Sequence, residues 1–245
     1  MSPPIFTPDG SEVTEIVLPD GSTASQVVGP DGSVVFDAGP EIPDSEDLQA
    51  RYDFSEEDGS TPVTDQTGNG HDLTGSYSGV GASINGVQAG KFDGTDDSLS
   101  TTWGAISEPY HIFVVARVDS LGRQYLLDGG SEYDHSIYPW DPGSEWRIYQ
   151  GGNSDVADGG TFYNTNPHLL NALFGPGTDY LRIDETDVNN GDTGSSDSTG
   201  LTLGMQGGGG FHIDATVGEV LVYSTDKSSI ETEVESYLTA KWGPF

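Results

Sequence analysis

Between residues 125 and 149 the chain gathers Tyr125, Tyr133, Tyr138, Trp140, Trp146 and Tyr149, interspersed with Asp128, Glu132, Asp134, His135 and Asp141. Aromatic rings stack on apolar faces, and Tyr and Trp add a polar tip, while carboxylates accept hydrogen bonds from hydroxyl groups. That mixture suits a polyhydroxylated ligand such as a sugar. The candidate ligand-binding residues are therefore Tyr133, Asp134, His135, Tyr138, Trp140 and Asp141, read as an exposed loop. Trp146 and Tyr149 fall in a strand-like stretch and read as core.

Catalytic patterns are absent from the places where they would be expected. No Glu-x-Asp-x-Glu alternation occurs, so no strand offers an acid and a nucleophile to one sugar. Glu132-Tyr133-Asp134 is only a fragment of it. Asp192-Thr193-Gly194 has no second copy and reads as a turn, and residues 86 to 91 continue into Phe92 instead of the Ser or Thr of a phosphate loop. The four glycines from Gly207 to Gly210 precede no helix and read as a flexible tip. His71, His111, His135, His168 and His212 lack metal-ligand spacing. The expectation at this point is a chain that is not an enzyme.

The elements that position these residues are mostly strands. Short β-prone stretches alternate with glycine-rich turns at 49–54, 90–92, 98–102, 110–118, 125–127, 145–149, 169–174, 180–183, 201–205 and 216–223, the habit of a sandwich or barrel. The run from His111 to Val118 is nearly continuous in apolar character, which predicts a central strand covered on both faces. One helix is predicted near the C-terminus. Ser228 and Glu231 have the spacing of a capping box, and Ile230, Val234, Tyr237 and Leu238 share a face.

Upstream, Pro8-Asp9-Gly10-Ser11, Pro19-Asp20-Gly21-Ser22 and Pro30-Asp31-Gly32-Ser33 recur every 11 residues. Each Pro-Asp-Gly is a tight turn, and Ile16-Val17-Leu18, Val27-Val28 and Val34-Val35-Phe36 are the strands between them. Two or three short strands cannot bury a core alone, so this region is expected to act in anchoring or assembly. The predicted organisation is a repeat region at 1–40, a linker at 41–48 and a main domain at 49–245.

The 245 residues carry 40 acidic and 8 basic side chains, a formal net charge of -32. Nucleic acid and anionic membranes are excluded as direct electrostatic partners, because both are bound by clustered lysine and arginine. At molar salt the Debye length falls to about 3 Å and the self-repulsion is screened. This acidity and the shortage of lysine resemble proteins of halophilic archaea and their viruses. Cysteine is absent, which removes disulfides and thiolate ligands. The first residues show neither a basic nor an apolar signal region, so a signal peptide is not expected.

Four motifs carry a resemblance to a known family. Arg51-Tyr52-Asp53-Phe54 with Asp65-Gln66-Thr67-Gly68-Asn69-Gly70 is similar to the opening strand and Asp-x-Ser-Gly-Asn-Gly turn of laminin-G-like domains. These form a branch of the concanavalin-A-like lectin jelly rolls. Phe92-Asp93-Gly94-Thr95-Asp96-Asp97, the strand from Gly218 to Tyr223 and the terminal stretch through Trp242-Gly243 resemble the same family in the same order. The resemblance implies an all-β antiparallel jelly-roll sandwich with a short C-terminal helix. It also implies calcium held by Asp65, the Asn69 carbonyl and Glu219, although Gly218 stands where relatives commonly have Asp. The alternative is no metal, with Asp65 capping its own turn.

Together these features lead to the expectation of a non-enzymatic virion surface protein of a halophilic virus, as a head turret, decoration or tail fibre. Residues 1–40 would join other virion proteins in a homo-oligomer, and the lectin-like domain would attach to a host surface glycan or glycoprotein. Localisation would be the virion, assembled in the host cytoplasm. The alternative is a cellular carbohydrate-binding module or carbohydrate-active enzyme of a halophilic archaeon. No cofactor other than calcium is implied.

Overall fold

A computed structural model describes residues 26–28, 34–37 and 41–245, apart from 133, 142, 153 and 154. The chain divides into two compact units, Met1–Pro43 and Asp44–Phe245. In the first, β1 (Gln26–Val28) and β2 (Val34–Asp37) pair antiparallel with Val27 opposite Phe36. Both lie on predicted strands. The Pro-Asp-Gly turns and the Ile16-Val17-Leu18 stretch lie outside the described residues.

The second unit contains fifteen strands, a 3-10 turn at Ser45–Asp47 and one α-helix among its described residues. In chain order they are β3 (Leu48–Asp53), β4 (Thr74–Ser76), β5 (Ala82–Ile84), β6 (Val87–Asp93), β7 (Ser98–Ile106), β8 (Tyr110–Val118), β9 (Leu127–Gly129) and β10 (Ser136–Trp140). Then come β11 (Glu145–Tyr149), β12 (Val156–Ala157), β13 (Pro167–Phe174), β14 (Asp179–Ile183), β15 (Thr186–Gly191), β16 (Ser198–Leu203), β17 (Asp214–Tyr223) and α1 (Glu231–Trp242). One antiparallel sheet runs β12-β11-β10-β9-β16-β7-β4. The other runs β15-β14-β13-β8-β17-β6-β5, with β3 paired to the second half of β17. The fold is the all-β antiparallel sandwich with a short C-terminal helix that the sequence predicts. Residues 44 to 48, assigned to a linker on sequence grounds, belong with this unit.

The two sheets enclose the core. Tyr110, Ile112, Val114, Ala116 and Val118 alternate into it from β8. His111, Phe113 and Val115 are equally buried but leave from the opposite face. There Phe113 meets Tyr223 edge-on at 5.9 Å, and His111 Nδ1 accepts a hydrogen bond from the Lys227 backbone N–H at 3.2 Å. Strand β8 therefore reads as a continuous apolar run because both of its faces are covered.

Helix α1 lies against the sheet that holds β8. Its Val234, Tyr237, Leu238 and Trp242 are buried, as is Glu235, which accepts hydrogen bonds from Asn171 Nδ2 at 2.8 Å and Arg182 Nε at 3.0 Å. The expected capping box does not form, because Glu231 accepts the Tyr180 hydroxyl at 2.6 Å and Ser228 N–H donates to Asp226 at 2.7 Å. Ile230 occupies the N-cap without a side-chain bond.

A second departure concerns residues 136 to 140, which form strand β10 within the sheet and not a loop. His135, just before it, is fully buried against Tyr110 and Phe174 at ring distances of 5.4 and 5.7 Å. Neither ring nitrogen has a partner among the described residues. Burial lowers its pKa from 6.5 to about 3, so the imidazole is neutral. Between those values the unfolded chain binds a proton that the folded chain does not, so stability falls as pH drops through that window. His135→Phe is expected to remove this loss while keeping the aromatic packing. Urea unfolding at about pH 7 and about pH 4 should show a smaller stability difference in the variant than in the wild type. An equal difference would contradict an isolated, buried His135.

Candidate functional site

Three segments converge at one side of the sandwich. The segment leading into β9 carries Leu121, Arg123 and Tyr125, strand β10 ends at Trp140, and the loop before β17 carries Phe211. Backbone hydrogen bonds hold them together: Tyr125 N–H donates to the Phe211 carbonyl at 3.0 Å, and Asp214 N–H donates to Gln124 Oε1 at 3.2 Å. Arg123 is exposed, and its guanidinium carbon lies 4.6 Å from the Trp140 ring centre and 4.4 Å from that of Phe211. Both distances are within the range of cation–π attraction.

Phe211 is unusual on two counts. It is 43% exposed, and Leu121 at 45% is the other large apolar side chain left open among the described residues. Its backbone φ is 51°, a left-handed conformation that costs a bulky residue energy and is found preferentially at functional positions. The preceding run Gly207 to Gly210 delivers the ring to this place, where the sequence had suggested only a flexible tip.

Beneath this surface, Tyr125 and Tyr138 stack at 4.6 Å with rings 10° apart, and Tyr138 meets Trp140 edge-on at 6.1 Å. The Tyr138 hydroxyl donates to Asp155 at 2.9 Å, and burial pushes its pKa above the ordinary value. Arg147 is paired with Glu145 and Asp155 and lies 4.9 Å from the Trp140 ring centre. The indole N–H groups of Trp103, Trp146 and Trp242 donate to Ser198, the Phe162 carbonyl and Glu219. That of Trp140 has no acceptor among the described residues.

The sequence-derived set divides accordingly. Trp140 is half-buried and Asp141 exposed, so both remain at the surface. Tyr138 is corrected from an exposed contact to a buried support, because β10 turns it under the sheet surface. His135 is corrected to a core residue, because its ring packs against Tyr110 and Phe174 inside the sandwich. Asp134 braces a turn, accepting from Ser131 N–H at 3.1 Å and Thr199 Oγ1 at 2.8 Å. Tyr133 lies outside the described residues. Arg123 and Phe211 were not singled out in the sequence, although an aromatic residue directly after a glycine run was the available signal.

The residues of the calcium set are engaged by the protein's own groups. Glu219 is fully buried, and its carboxylate receives Arg51 Nε, the Tyr237 hydroxyl, Lys241 Nζ and Trp242 Nε1, each at 2.9 Å. Two cations already stand where an ion would bind. Asp65 caps its own turn, accepting from Thr67 N–H and Oγ1 at 3.1 and 2.8 Å and from His71 N–H at 3.1 Å. Asn69 ties that turn to the carbonyls of Leu48 and Gln49 at 3.0 and 3.1 Å. At Gly218 a Cβ would stand 2.9 Å from the Trp242 ring. The carboxylates of Asp93, Asp96 and Asp97 lie within 4.8 Å of one another, and Asp97 already accepts from Ser78 Oγ at 2.7 Å.

A separate groove of about 550 Å³ runs along β14, β15 and the start of α1, lined by Thr178, Tyr180, Asp187, Asn189, Asn190 and Glu231. Its charged groups are engaged, since Asp187 and Glu231 both pair with Arg182.

No family model and no curated protein matches this chain. Solved structures do. A Trypanosoma rangeli sialidase in complex with sialic acid has a TM-score of 0.59 at 16% identity, over 90% of this chain and 36% of that one. The binding domain of botulinum neurotoxin DC in complex with SialylT has a TM-score of 0.58 at 10% identity, over 82% of this chain and 55% of that one. Domain 4 of AbnA, a GH43 extracellular arabinanase from Geobacillus stearothermophilus in complex with arabinotriose, has a TM-score of 0.54 at 17% identity. That match covers 72% of this chain and 91% of that one. This chain spans about a third of the sialidases' length. The likenesses establish a β-sandwich of the kind found in these proteins. They also correct the expectation of a chain that is not an enzyme, since sialidases and a GH43 arabinanase contain the same fold.

The buried cluster around Glu219 yields a stability prediction. Glu219→Gln leaves Arg51 and Lys241 with Asp53 as their remaining carboxylate, and it is expected to cost about 3 kcal/mol in urea unfolding. Amide exchange in α1 should accelerate, and added calcium should leave the melting temperature of the wild type unmoved. Unchanged stability, or melting that rises with calcium, would contradict this assignment.

Proposed function

We propose that the unit Asp44–Phe245 binds carbohydrate, and that it does so at the surface formed by Arg123, Trp140 and Phe211. The observation that carries this reading is Phe211, an exposed aromatic ring held in a left-handed backbone beside a cation and the unspent indole N–H of Trp140. A ring face, a cation and a free donor together suit the apolar face and the hydroxyls of a sugar. The fold supports the same reading. The similar sialidase, toxin and arabinanase structures are complexes with sialic acid, SialylT and arabinotriose.

The finer reading is a virion surface protein of a halophilic virus, with residues 1–40 joining an assembly. It rests on the acidic composition and the Pro-Asp-Gly repeat. The fold likenesses speak only to the glycan-binding part of it.

The carbohydrate reading is tested on a glycan array with the full chain and its Phe211→Ala and Trp140→Ala variants. Both substitutions are expected to weaken binding by about 2 kcal/mol, as when central aromatic anchors are truncated. Phe211→Ala should melt as the wild type does, because the ring is largely solvent-facing. Full binding in both variants would reject this surface.

A further inference from the structure

Positive charge is scarce enough in this protein for the placement of each cation to be informative. Of the 8 basic residues, seven contact at least one carboxylate, as Lys91 contacts Asp119 and Asp214. Arg123 is the exception among the described residues. No carboxylate of the described residues lies within 4.0 Å of it.

Nearby acids are directed elsewhere. Asp141, next to Trp140, faces the Tyr163 hydroxyl at 3.5 Å, Asp155 holds Arg147 and Tyr138, and Asp119 holds Arg117, Lys91 and Thr216. Arg123 is held by the Trp140 and Phe211 rings. Ring contacts attract a cation without neutralising it, and they leave the in-plane N–H groups of the guanidinium unused. Those groups form a fork that matches a carboxylate with two parallel hydrogen bonds.

From this arrangement we infer that the carbohydrate bound here is acidic, a saccharide whose carboxylate is received by Arg123. The inference rests on the carbohydrate reading above and specifies its ligand class. A net charge of -32 repels anions over most of the surface. An acidic ligand is attracted only where a cation remains uncompensated, and among the described residues that place is Arg123. The Trp140 indole N–H then serves a ring or side-chain hydroxyl, and the open face of Phe211 covers the apolar face of the sugar.

The test uses matched probes on the intact chain at fixed salt: sialyllactose against lactose, and oligogalacturonate against its methyl ester. At least one carboxylated probe is expected to bind about tenfold more tightly than its neutral partner, the scale of a hydrogen bond to a charged group. Arg123→Gln should reduce that probe to the affinity of its neutral partner, and Arg123→Lys should restore part of the preference. The melting temperature of each variant confirms that the exposed substitution leaves the fold intact. Equal binding of each pair by the wild type would overturn the acidic-ligand inference while leaving the carbohydrate reading in place. A preference that persists in Arg123→Gln would overturn it by placing the anion elsewhere, and sulfated lactose matching the preferred probe would overturn the commitment to carboxylate. Absence of binding to every probe and to the glycan array would defeat both readings together.

Discussion

Eight cations distributed among forty carboxylates constrain everything else in this protein. An acidic chain folds only where its carboxylates are either solvated or met by donors, and buried ones must be met individually. Asp53 and Glu219, both fully buried, receive Arg51 and Lys241, and through Tyr237 and Trp242 the same group fastens the terminal helix to β3 and β17. Arg182 does similar work between β14, β15 and Glu235 of the helix. Lys227 fastens the segment before the helix to Asp44 and Asp47. Cations in this fold are structural ties. Against that pattern a guanidinium without a carboxylate stands out.

The architecture was legible wherever burial left a pattern in the residues. His111 to Val118 read as a doubly covered strand because both of its faces are covered, and 145 to 149 read as a short strand between turns. Strand β10 escaped because Pro139 interrupts it and it opens on Ser136 directly after His135, so polar residues masked a buried inner strand. Its aromatics consequently seemed to belong to a loop. The helix was legible from its apolar face but its start was not. Glu231, the expected partner of Ser228, is taken by Tyr180 of β14, a contact that no local spacing encodes.

The candidate site was legible in part for the same reason. Trp140 and Asp141 were recoverable because they lie within a dense aromatic segment, whereas Arg123 and Phe211 meet only through the sheet order that brings β9, β10 and the loop before β17 together. Glu219 illustrates the converse. A motif suggested an ion ligand, but the residues that meet its carboxylate come from β3 and the C-terminal helix, and they supply the positive charge themselves. A shared fold thus carries a shared backbone while the chemistry of each position follows from its neighbours.

The most direct measurement is a nitrogen–proton correlation spectrum of the labelled chain titrated with oligogalacturonate. The four tryptophan indoles give separate signals, and three of their N–H groups are already bonded internally. An acidic saccharide held at Arg123 must shift the Trp140 indole N–H and the Arg123 side-chain signal while leaving the other three indoles nearly fixed. Shifts confined to residues 178 to 190, along the groove beside α1, would contradict the account.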